Sequence, residues 1–310
     1  MTLNKHCFIL PSLLLCMLAL CQTTHSQDDV ISVRMLTYNI RHGAGMDDVI
    51  DLDRQAEVIR KANADVVGLQ EVDSCVKRSG YIPEAAVLAE KLDMYSTFGG
   101  AIPLTGGKYG VAILSKEPPI AVHHMPLPGT EKRTLLVCEF EEYVFATTHL
   151  DLNKDSCDAS LPIILEEAAS WGDKPFFICG DWNSEPSSDF IKAMKNEGFI
   201  MLNYPTSPTS SYYTFPANSP KKIIDYIASY GKVVKSIRRR QVLNEPQASD
   251  HRPVLVEVRL NSYTTDIASP SADEEQNDEY YDLTGKKMPI GKLPRGIYIQ
   301  KNQRRTIVIK

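Results

Sequence analysis

The most informative stretch of the chain runs Pro175-Phe176-Phe177-Ile178-Cys179-Gly180-Asp181-Trp182-Asn183. Its apolar first half has the length and composition of a buried β-strand. A carboxylate, Asp181, and an amide, Asn183, follow that strand directly. Taken alone, Asp181 would more often cap a turn than serve a reaction. A role in a reaction is favoured because other predicted strands of this chain also end in polar side chains.

Further apolar runs have the lengths and the β-branched content of strands. They cover residues 32–38, 65–69, 110–114, 135–140, 144–148, 223–228 and 253–260. Helical patterns lie between some of them: one behind Asp51 as a candidate N-cap, one opened by Pro83, and one that follows Ser187 and closes at Gly198. The mixture of adjacent and separated strands predicts one mixed α/β domain over residues 30–261, with substantial antiparallel pairing.

Polar side chains stand at the ends or the starts of these predicted strands. Those at the ends are Asn39, Glu71, His149, Asp151, Asp181 and Asn183, and those near the starts are Asp225, Asp250 and His251. In an antiparallel pair the tail of one strand lies beside the head of the next. The sequence therefore predicts that these side chains converge on one cleft.

So many carboxylates in one cleft would repel each other unless a cation lay among them. Oxygen ligands without cysteine, and with few histidines, favour Mg²⁺, with Mn²⁺ as the alternative. Magnesium in proteins usually completes its shell with water and substrate phosphate oxygens. A phosphoester is therefore the expected substrate.

An ordered series of motifs resembles the endonuclease/exonuclease/phosphatase superfamily, the DNase-I-like metal-dependent phosphoesterases. The motifs are Leu36-Thr37-Tyr38-Asn39-Ile40, Leu69-Gln70-Glu71-Val72, Tyr109-Gly110-Val111-Ala112-Ile113-Leu114-Ser115, Thr148-His149-Leu150-Asp151, Gly180-Asp181-Trp182-Asn183, Ile224-Asp225-Tyr226-Ile227 and Ser249-Asp250-His251-Arg252-Pro253. The resemblance implies a four-layer α/β/β/α sandwich, in which two mixed sheets pack face to face and helices flank them.

The resemblance also implies a role for each metal-side residue. Glu71 matches the principal metal ligand, with Asn39 beside it and Asp250 as a further metal-side carboxylate. Asp181 matches the general base that positions water, and Asn183 matches the group that steadies the phosphate.

The histidines carry the remaining roles that the resemblance implies. His251 matches the phosphate-binding imidazole, and Asp225 would orient it. His149 stands where DNase-I-type nucleases and lipid phosphodiesterases keep a histidine that protonates, or hydrogen-bonds, the leaving oxygen.

The substrate is less constrained than the reaction. The form Thr37-Tyr38-Asn39-Ile40-Arg41-His42-Gly43 resembles the metal-dependent hydrolase branch, which includes domains acting on inositol-phosphate lipid headgroups. A lipid headgroup or a small phosphodiester is the leading expectation. The candidate substrate contacts are Asp151, Arg41, His42, Lys108 and Arg133.

The charge distribution weighs against a nuclease. Residues 27–263 hold 25 Lys and Arg against 32 Asp and Glu, whereas proteins that grip a nucleic acid backbone usually carry the opposite sign. The compact basic run Arg238-Arg239-Arg240 is interpreted as a solvated strand edge. A secreted nonspecific nuclease stays the second hypothesis, and a catalytically inactive surface binding module is the alternative of another class.

The first 26 residues predict a signal peptide. An apolar run over residues 8–21 follows Lys5 and is too short to span a bilayer. The mature chain would then begin near Gln27, lack a transmembrane span, lie outside the cytoplasm and be a monomer. A lipoprotein acylated at Cys21 is the minority alternative.

Four cysteines would remain after signal removal. Cys138 and Cys179 lie in apolar runs and are expected to be buried. Cys75 and Cys157 each follow a motif strand in a polar stretch that predicts a loop, and a disulfide between them is predicted because those strand ends should meet. His123 and His124 are expected in an exposed loop without an acidic partner.

The C-terminal region is predicted to form an acidic linker, residues 262–282, and a small β-hairpin module, residues 283–310. The elements Tyr281-Asp282-Leu283-Thr284-Gly285 and Gly296-Ile297-Tyr298 resemble the C-terminal sorting modules of secreted Bacteroidetes proteins. A hairpin that merely stabilises the chain end is the alternative interpretation.

Overall fold

The computed structural model describes residues 31–261 and four short strands between residues 280 and 309. The chain divides into two compact units between Tyr263 and Thr264. The predicted signal peptide, its alternative acylation site Cys21 and most of the predicted linker lie outside the described residues.

The larger unit contains two six-stranded sheets and, within its described residues, four α-helices. The strands are β1 (Ser32–Asn39), β2 (Val66–Ser74), β3 (Tyr95–Leu104), β4 (Gly107–Ser115), β5 (Ala121–Leu127), β6 (Arg133–Glu139), β7 (Val144–His149), β8 (Phe176–Asp181), β9 (Phe199–Met201), β10 (Asp225–Tyr230), β11 (Val234–Val242) and β12 (Val254–Leu260). The helices are α1 (Leu52–Ala62), α2 (Glu84–Leu92), α3 (Lys154–Ser170) and α4 (Asp189–Asn196).

The two sheets share one connectivity. Their strand orders are β11-β12-β1-β2-β4-β3 and β5-β6-β7-β8-β10-β9. Each sheet has one parallel pair near its middle, β1 with β2 and β7 with β8, and antiparallel pairs elsewhere. The carboxyl ends of parallel strands lie at the same edge of a sheet. The ends of β1 and β2 therefore lie together in one sheet, and the ends of β7 and β8 lie together in the other.

Three apolar layers hold the unit together. One lies between the sheets and includes Met35, Val66, Phe145 and Phe177. The second packs α1 and α2 on the outer face of the first sheet. The third packs α3 and α4 on the outer face of the second. The expected four-layer α/β/β/α sandwich is therefore confirmed.

The sheets approach closely beneath the ends of β1 and β7. A Cβ atom on Gly68 would overlap the Sγ of Cys179 and lie 2.7 Å from the Oγ1 of Thr147. Beside it, Gln70 Nε2 donates hydrogen bonds to Thr37 Oγ1 at 3.1 Å and to Thr147 Oγ1 at 2.9 Å. These buried polar bonds tie one sheet to the other.

Several elements differ from the sequence expectation. Helix α3 was not predicted, because Pro162 interrupts it and its exposed and buried residues alternate irregularly. Strands β3, β5 and β11 lie at sheet edges and are only partly buried, so they lack the apolar runs that mark buried strands. Helix α4 follows Ser187 as predicted, and Ser188 is its N-cap.

The predicted disulfide between Cys75 and Cys157 is wrong. Both thiols are free. Cys75 is exposed just after β2, whereas Cys157 lies in α3 rather than in a loop. The Cys157 thiol is buried and donates a hydrogen bond to the Asp151 carbonyl at 2.9 Å. The unpredicted first turn of α3 therefore turns this side chain inward, away from solvent.

The smaller unit contains an antiparallel four-stranded sheet. Its strands are β13 (Tyr280–Asp282), β14 (Lys287–Met288), β15 (Gly296–Gln300) and β16 (Arg305–Ile309), in the order β14-β13-β15-β16. The first strand precedes residue 283, where the module was predicted to start. Of the helices in the described part of the chain, none is long and apolar enough to cross a membrane.

Candidate active site

Strand register brings the predicted polar residues together. His149 ends β7 and Asp181 ends β8, and the two are paired in the parallel ladder. Asp225 begins β10 directly opposite Asp181. In the other sheet, Asn39 ends β1 beside the start of β12, which Asp250 precedes. The site therefore lies where the ends of both sheets meet.

Glu71 occupies a bulge in β2. The pairing of β2 with β4 shifts between Leu69 and Val72, and Glu71 adopts a left-handed backbone with φ of 57°. This conformation is uncommon for a residue with a Cβ and marks positions where strain serves a site. The bulge turns the Glu71 carboxylate toward the strand ends.

Asn39 links the two halves of the site. Its Nδ2 donates hydrogen bonds to Glu71 Oε1 at 3.0 Å and to Asp181 Oδ2 at 3.1 Å. Its Oδ1 accepts a hydrogen bond from the backbone N–H of Arg41 at 3.1 Å. In this assignment Asn39 presents a donor, not an oxygen ligand, to Glu71. Ligation of a metal by its oxygen stays a prediction.

The carboxylates around Glu71 suit a hard cation. Burial raises the pKa of Glu71, while the Asn39 hydrogen bond opposes that effect and the nearby Asp250 adds to it. Within the described residues, no Lys or Arg forms a salt bridge with Glu71. Two nearby carboxylates, of which Asp250 has only a long contact with Arg41 at 4.0 Å, fit a divalent ion of the Mg²⁺ type.

Asp181, Asp225 and His251 form a second group close enough to hold a metal. Here, however, both oxygens of Asp225 lie 3.0–3.1 Å from His251 Nδ1. A ring nitrogen that donates to a carboxylate has no lone pair left for a cation. Asp225 therefore engages Nδ1 alone, while Nε2 faces Asp181 Oδ2 at 3.5 Å, and the three residues keep the spacing of a metal site.

Asp181 is the central carboxylate. It is buried, and its Oδ1 accepts the backbone N–H of Asn183 at 3.0 Å. Its Oδ2 lies 3.5 Å from His251 Nε2 and 3.6 Å from His149 Nε2. Burial raises the pKa of Asp181 although the His251 charge opposes the shift. A carboxylate tuned upward in this way can take a proton near neutral pH.

His251 is held as an imidazolium. Burial alone would lower its pKa, but the carboxylates of Asp225 and Asp181 outweigh that effect and raise it. The ring of Phe215 packs against it, with the ring centroids 4.8 Å apart. A fixed, charged imidazole beside Asp181 can bind a phosphate oxygen.

His149 is held neutral. Its Nε2 lies 3.2 Å from Asn183 Nδ2, and its Nδ1 lies 3.4 Å from Arg133 Nη1. Burial, followed by the charges of Arg133 and His251, lowers the pKa of His149 well below its usual value. Asn183 also donates to the Leu150 carbonyl at 2.9 Å, and its φ of 48° places it in the left-handed region.

These groups face a cleft of about 780 Å³. Its lining includes the predicted residues Glu71, Arg133, His149, Asp181, Asn183, Asp250 and His251. The other candidate substrate contacts, Arg41, His42, Lys108 and Asp151, do not line it.

Arg41 and Asp151 stabilise loops next to the site. Arg41 donates to the Gly45 carbonyl at 2.8 Å, pairs with Asp48 at 2.8 Å and lies 4.0 Å from Asp250. Asp151 accepts backbone N–H groups with both oxygens, from Thr130 at 2.6 Å and Leu152 at 2.8 Å. Their side chains are therefore committed to loop structure.

Several residues that line the cleft had no role predicted from the sequence. Tyr109, Glu131, Leu152, Phe215 and Lys222 all face the cleft. Tyr109 begins the motif Tyr109-Gly110-Val111-Ala112-Ile113-Leu114-Ser115, and Glu131 lies two positions before Arg133. The others follow no strand-end pattern, so a sequence signal for them is absent.

His123 differs from its prediction. Both His123 and His124 are exposed as expected, but they lie in strand β5 rather than in a loop. His123 Nδ1 lies 2.7 Å from Glu167 Oε1, and its ring stacks on Trp171 at 5.1 Å. The acidic partner comes from the unpredicted helix α3.

Solved structures of similar fold cover most of the chain. An endonuclease/exonuclease/phosphatase protein from Beutenbergia cavernae matches with a TM-score of 0.61 and 19% identity, covering 90% of this chain and 92% of that one. The human Nocturnin catalytic domain with bound sulfate anion matches at 0.59 and 18%, covering 74% and 95%. A mannosyl-6-phosphatase from Bacteroides thetaiotaomicron matches at 0.57 and 18%, covering 73% and 99%.

The search among curated proteins found no match. A model of the Endonuclease/Exonuclease/phosphatase family matches residues 36–251, which include every strand-end residue of the site. Members of this family are metal-dependent phosphoesterases and nucleases. The chain therefore belongs to the endonuclease/exonuclease/phosphatase family and is a metal-dependent phosphoric ester hydrolase.

Proposed function

We propose that the chain is a secreted, Mg²⁺-dependent phosphoesterase that hydrolyses a lipid headgroup or another small phosphate ester. The observation that carries the proposal is the position of Asp181, bonded to Asn39 on one side and placed beside His251 and His149 on the other. This position places a carboxylate that can accept a proton beside two imidazoles that can face a phosphate.

Glu71 and Asp250 would hold the metal ion. When bound, the ion absorbs negative charge on the nonbridging phosphate oxygens. Asn39 would keep Glu71 and Asp181 at a fixed separation, because one amide group bonds both carboxylates. Fixed separation matters because catalysis depends on reacting groups being held in place before the reaction begins.

Hydrolysis then follows from the remaining side chains. A water molecule attacks phosphorus and Asp181 accepts its proton as the new P–O bond forms. His251 binds a nonbridging oxygen, while Asn183 and the Nε2 edge of His149 face the substrate. The bond from phosphorus to the ester oxygen breaks, the alcohol takes a proton from solvent, and Asp181 returns its proton to water.

The lining of the cleft favours a small substrate over nucleic acid. Its acids are Glu71, Glu131, Asp181, Glu185, Asp189 and Asp250, and its Lys and Arg residues are Arg133, Lys154 and Lys222. A long polyanion is usually tracked by a basic groove. The arginines of β11 that could supply one lie on the edge of the first sheet and do not line this cleft.

Export is supported by the sequence of the first 26 residues, whose basic start, apolar core and Thr24-His25-Ser26 end match a cleavable signal. Residues 27–310 would then act as a monomer outside the cytoplasm. Expression of the full chain with its own leader, followed by N-terminal sequencing of the exported product, tests this part. A start at Gln27 supports it, and a retained leader contradicts it.

The reaction is tested with the chain from Gln27 to Lys310. We expect turnover of p-nitrophenyl phosphate or of bis-p-nitrophenyl phosphate with Mg²⁺, loss of turnover with EDTA, and recovery when Mg²⁺ is restored. A parallel panel of plasmid DNA and phosphatidylinositol vesicles separates the nuclease from the lipid hypothesis. Metal-independent turnover, or none on any of these substrates, would refute the proposal, and the second result would favour a binding module.

A further inference from the structure

Arg133 is a buried cation at the edge of the catalytic cleft. It begins strand β6, is 8% exposed and lines the cleft with His149 and Asn183. Its Nη1 pairs with Glu131 Oε1 at 2.8 Å, and its Nε is buried without a hydrogen-bond partner. A buried guanidinium with an unsatisfied donor is costly unless a ligand completes it.

The ion pair with Glu131 leaves the Arg133 guanidinium available to a ligand in the cleft. The side chain of Glu131 is 45% exposed, so solvent screens its attraction to the guanidinium. Tyr109, a neutral side chain, also lines the cleft. Arg133 is therefore held in position by neutral and weakly paired groups, and its charge is not cancelled by a buried carboxylate.

The contact between Arg133 and His149 determines which of these two side chains is positively charged. Arg133 Nη1 lies 3.4 Å from His149 Nδ1, and a guanidinium stays protonated in proteins. An imidazolium at that distance would be repelled by the guanidinium, so the ring is neutral, with Nδ1 facing Arg133 Nη1 and Nε2 facing the Asn183 amide. The neutral ring can donate a hydrogen bond, but it has no charge to offer a leaving group.

We propose that Arg133 is a further catalytic residue, whose guanidinium binds the leaving oxygen and suits the site to esters of aliphatic alcohols. This inference rests on the proposed phosphoesterase function. As the P–O bond to the alcohol breaks, the electron pair moves onto the ester oxygen. Arg133 stabilises that alkoxide through its N–H groups until solvent supplies the proton.

Aliphatic and aromatic leaving groups separate the two roles that Arg133 could have. An alkoxide carries more charge in the transition state than p-nitrophenolate and depends more on a cation beside it. A residue that binds only the phosphate would affect both kinds of ester alike. The experiment therefore compares p-nitrophenyl, phenyl and glycerol esters of whichever class, phosphomonoester or diester, the wild-type enzyme hydrolyses.

Arg133→Met is expected to lower kcat by about 10³-fold on the glycerol ester, the upper end of the effect of removing one oxyanion donor, and by only about 10-fold on the p-nitrophenyl ester. Arg133→Lys should regain part of the loss. Guanidinium ion at non-denaturing concentration should restore activity to Arg133→Ala. Arg239→Met, on the exposed face of β11, removes the same charge and serves as the matched control with unchanged activity.

An equal loss on all three esters would overturn the inference, and so would a steeper leaving-group dependence for His149→Gln than for Arg133→Met. Thermal unfolding of each variant checks that it is folded, and Arg133→Lys gives a second test if Arg133→Met is not. Absence of wild-type turnover contradicts the proposed function itself. Wild-type turnover with a flat leaving-group response in the Arg133 variants contradicts this inference alone.

Discussion

Glu84 should make the stability of the protein fall as the pH rises. It begins α2, is fully buried, and its Oε2 accepts the backbone N–H of Asp73 at 2.8 Å. Its Oε1 is buried without a hydrogen-bond partner. Burial raises the pKa of Glu84 to about 8, with the charge of Asp73 adding to the effect. The folded protein therefore prefers this carboxyl protonated.

The magnitude follows from the linkage between protonation and folding. The folded pKa of about 8 lies above the ordinary value of 4.5, so the stability is fully present below the ordinary pKa and is lost as the pH rises through the folded one. A tenfold difference in proton affinity between the two states corresponds to about 1.4 kcal/mol, which gives a loss of about 4 kcal/mol between pH 5 and pH 9. Glu84→Gln keeps the acceptor for Asp73 but does not ionise.

The assay is urea unfolding of the wild type and of Glu84→Gln at pH 5, 7 and 9. The wild-type free energy of unfolding, relative to that of the variant, should decline across this range by about 4 kcal/mol. Other titrating groups are common to both proteins and cancel in the difference. A difference that stays constant from pH 5 to pH 9 would show that Glu84 ionises freely, and the reasoning would be refuted.

Three further predictions concern the thiols, the sheet interface and the base. In the folded chain from Gln27, a thiol reagent should modify Cys75 rapidly and the three buried thiols only after unfolding; protection of Cys75 that reduction abolishes would revive the disulfide. Gly68→Ala should lower the free energy of unfolding by about 1–3 kcal/mol in urea melts, because its Cβ overlaps Cys179 Sγ. Asp181→Asn should lower kcat by at least ~10² while leaving the melting temperature equal or higher, since it removes a buried charge; full activity would exclude Asp181 as the base.

The convergence of the site was predictable because strand register leaves little freedom. Apolar runs place Asp181 and His149 at the ends of neighbouring buried strands, and one face of each strand must pack in the core. Once the β7–β8 pair is parallel, those two ends coincide. A slip by one residue would turn apolar side chains into solvent, so the sequence pattern determines the edge at which the polar groups appear.

What the sequence did not predict depends on contacts between distant elements. Arg41 and Asp151 have charged side chains in or next to the motifs, yet both form hydrogen bonds with backbone groups of loops. The partner of His123 lies 44 positions away on α3. The exposed edge strands and the irregular α3 lack strong periodicity, because solvent tolerates many side chains on those surfaces.

The shared connectivity of the two sheets has a mechanical consequence for catalysis. One sheet supplies Asn39, Glu71 and the residues before β12, and the other supplies His149, Asp181 and Asp225. The metal-side carboxylate and the base thus lie on separate sheets, which are joined by the buried amides of Asn39 and Gln70. A small displacement of one sheet relative to the other would abolish activity while every strand stayed folded. Activity is therefore sensitive to the interface between the two sheets rather than to the fold of either sheet.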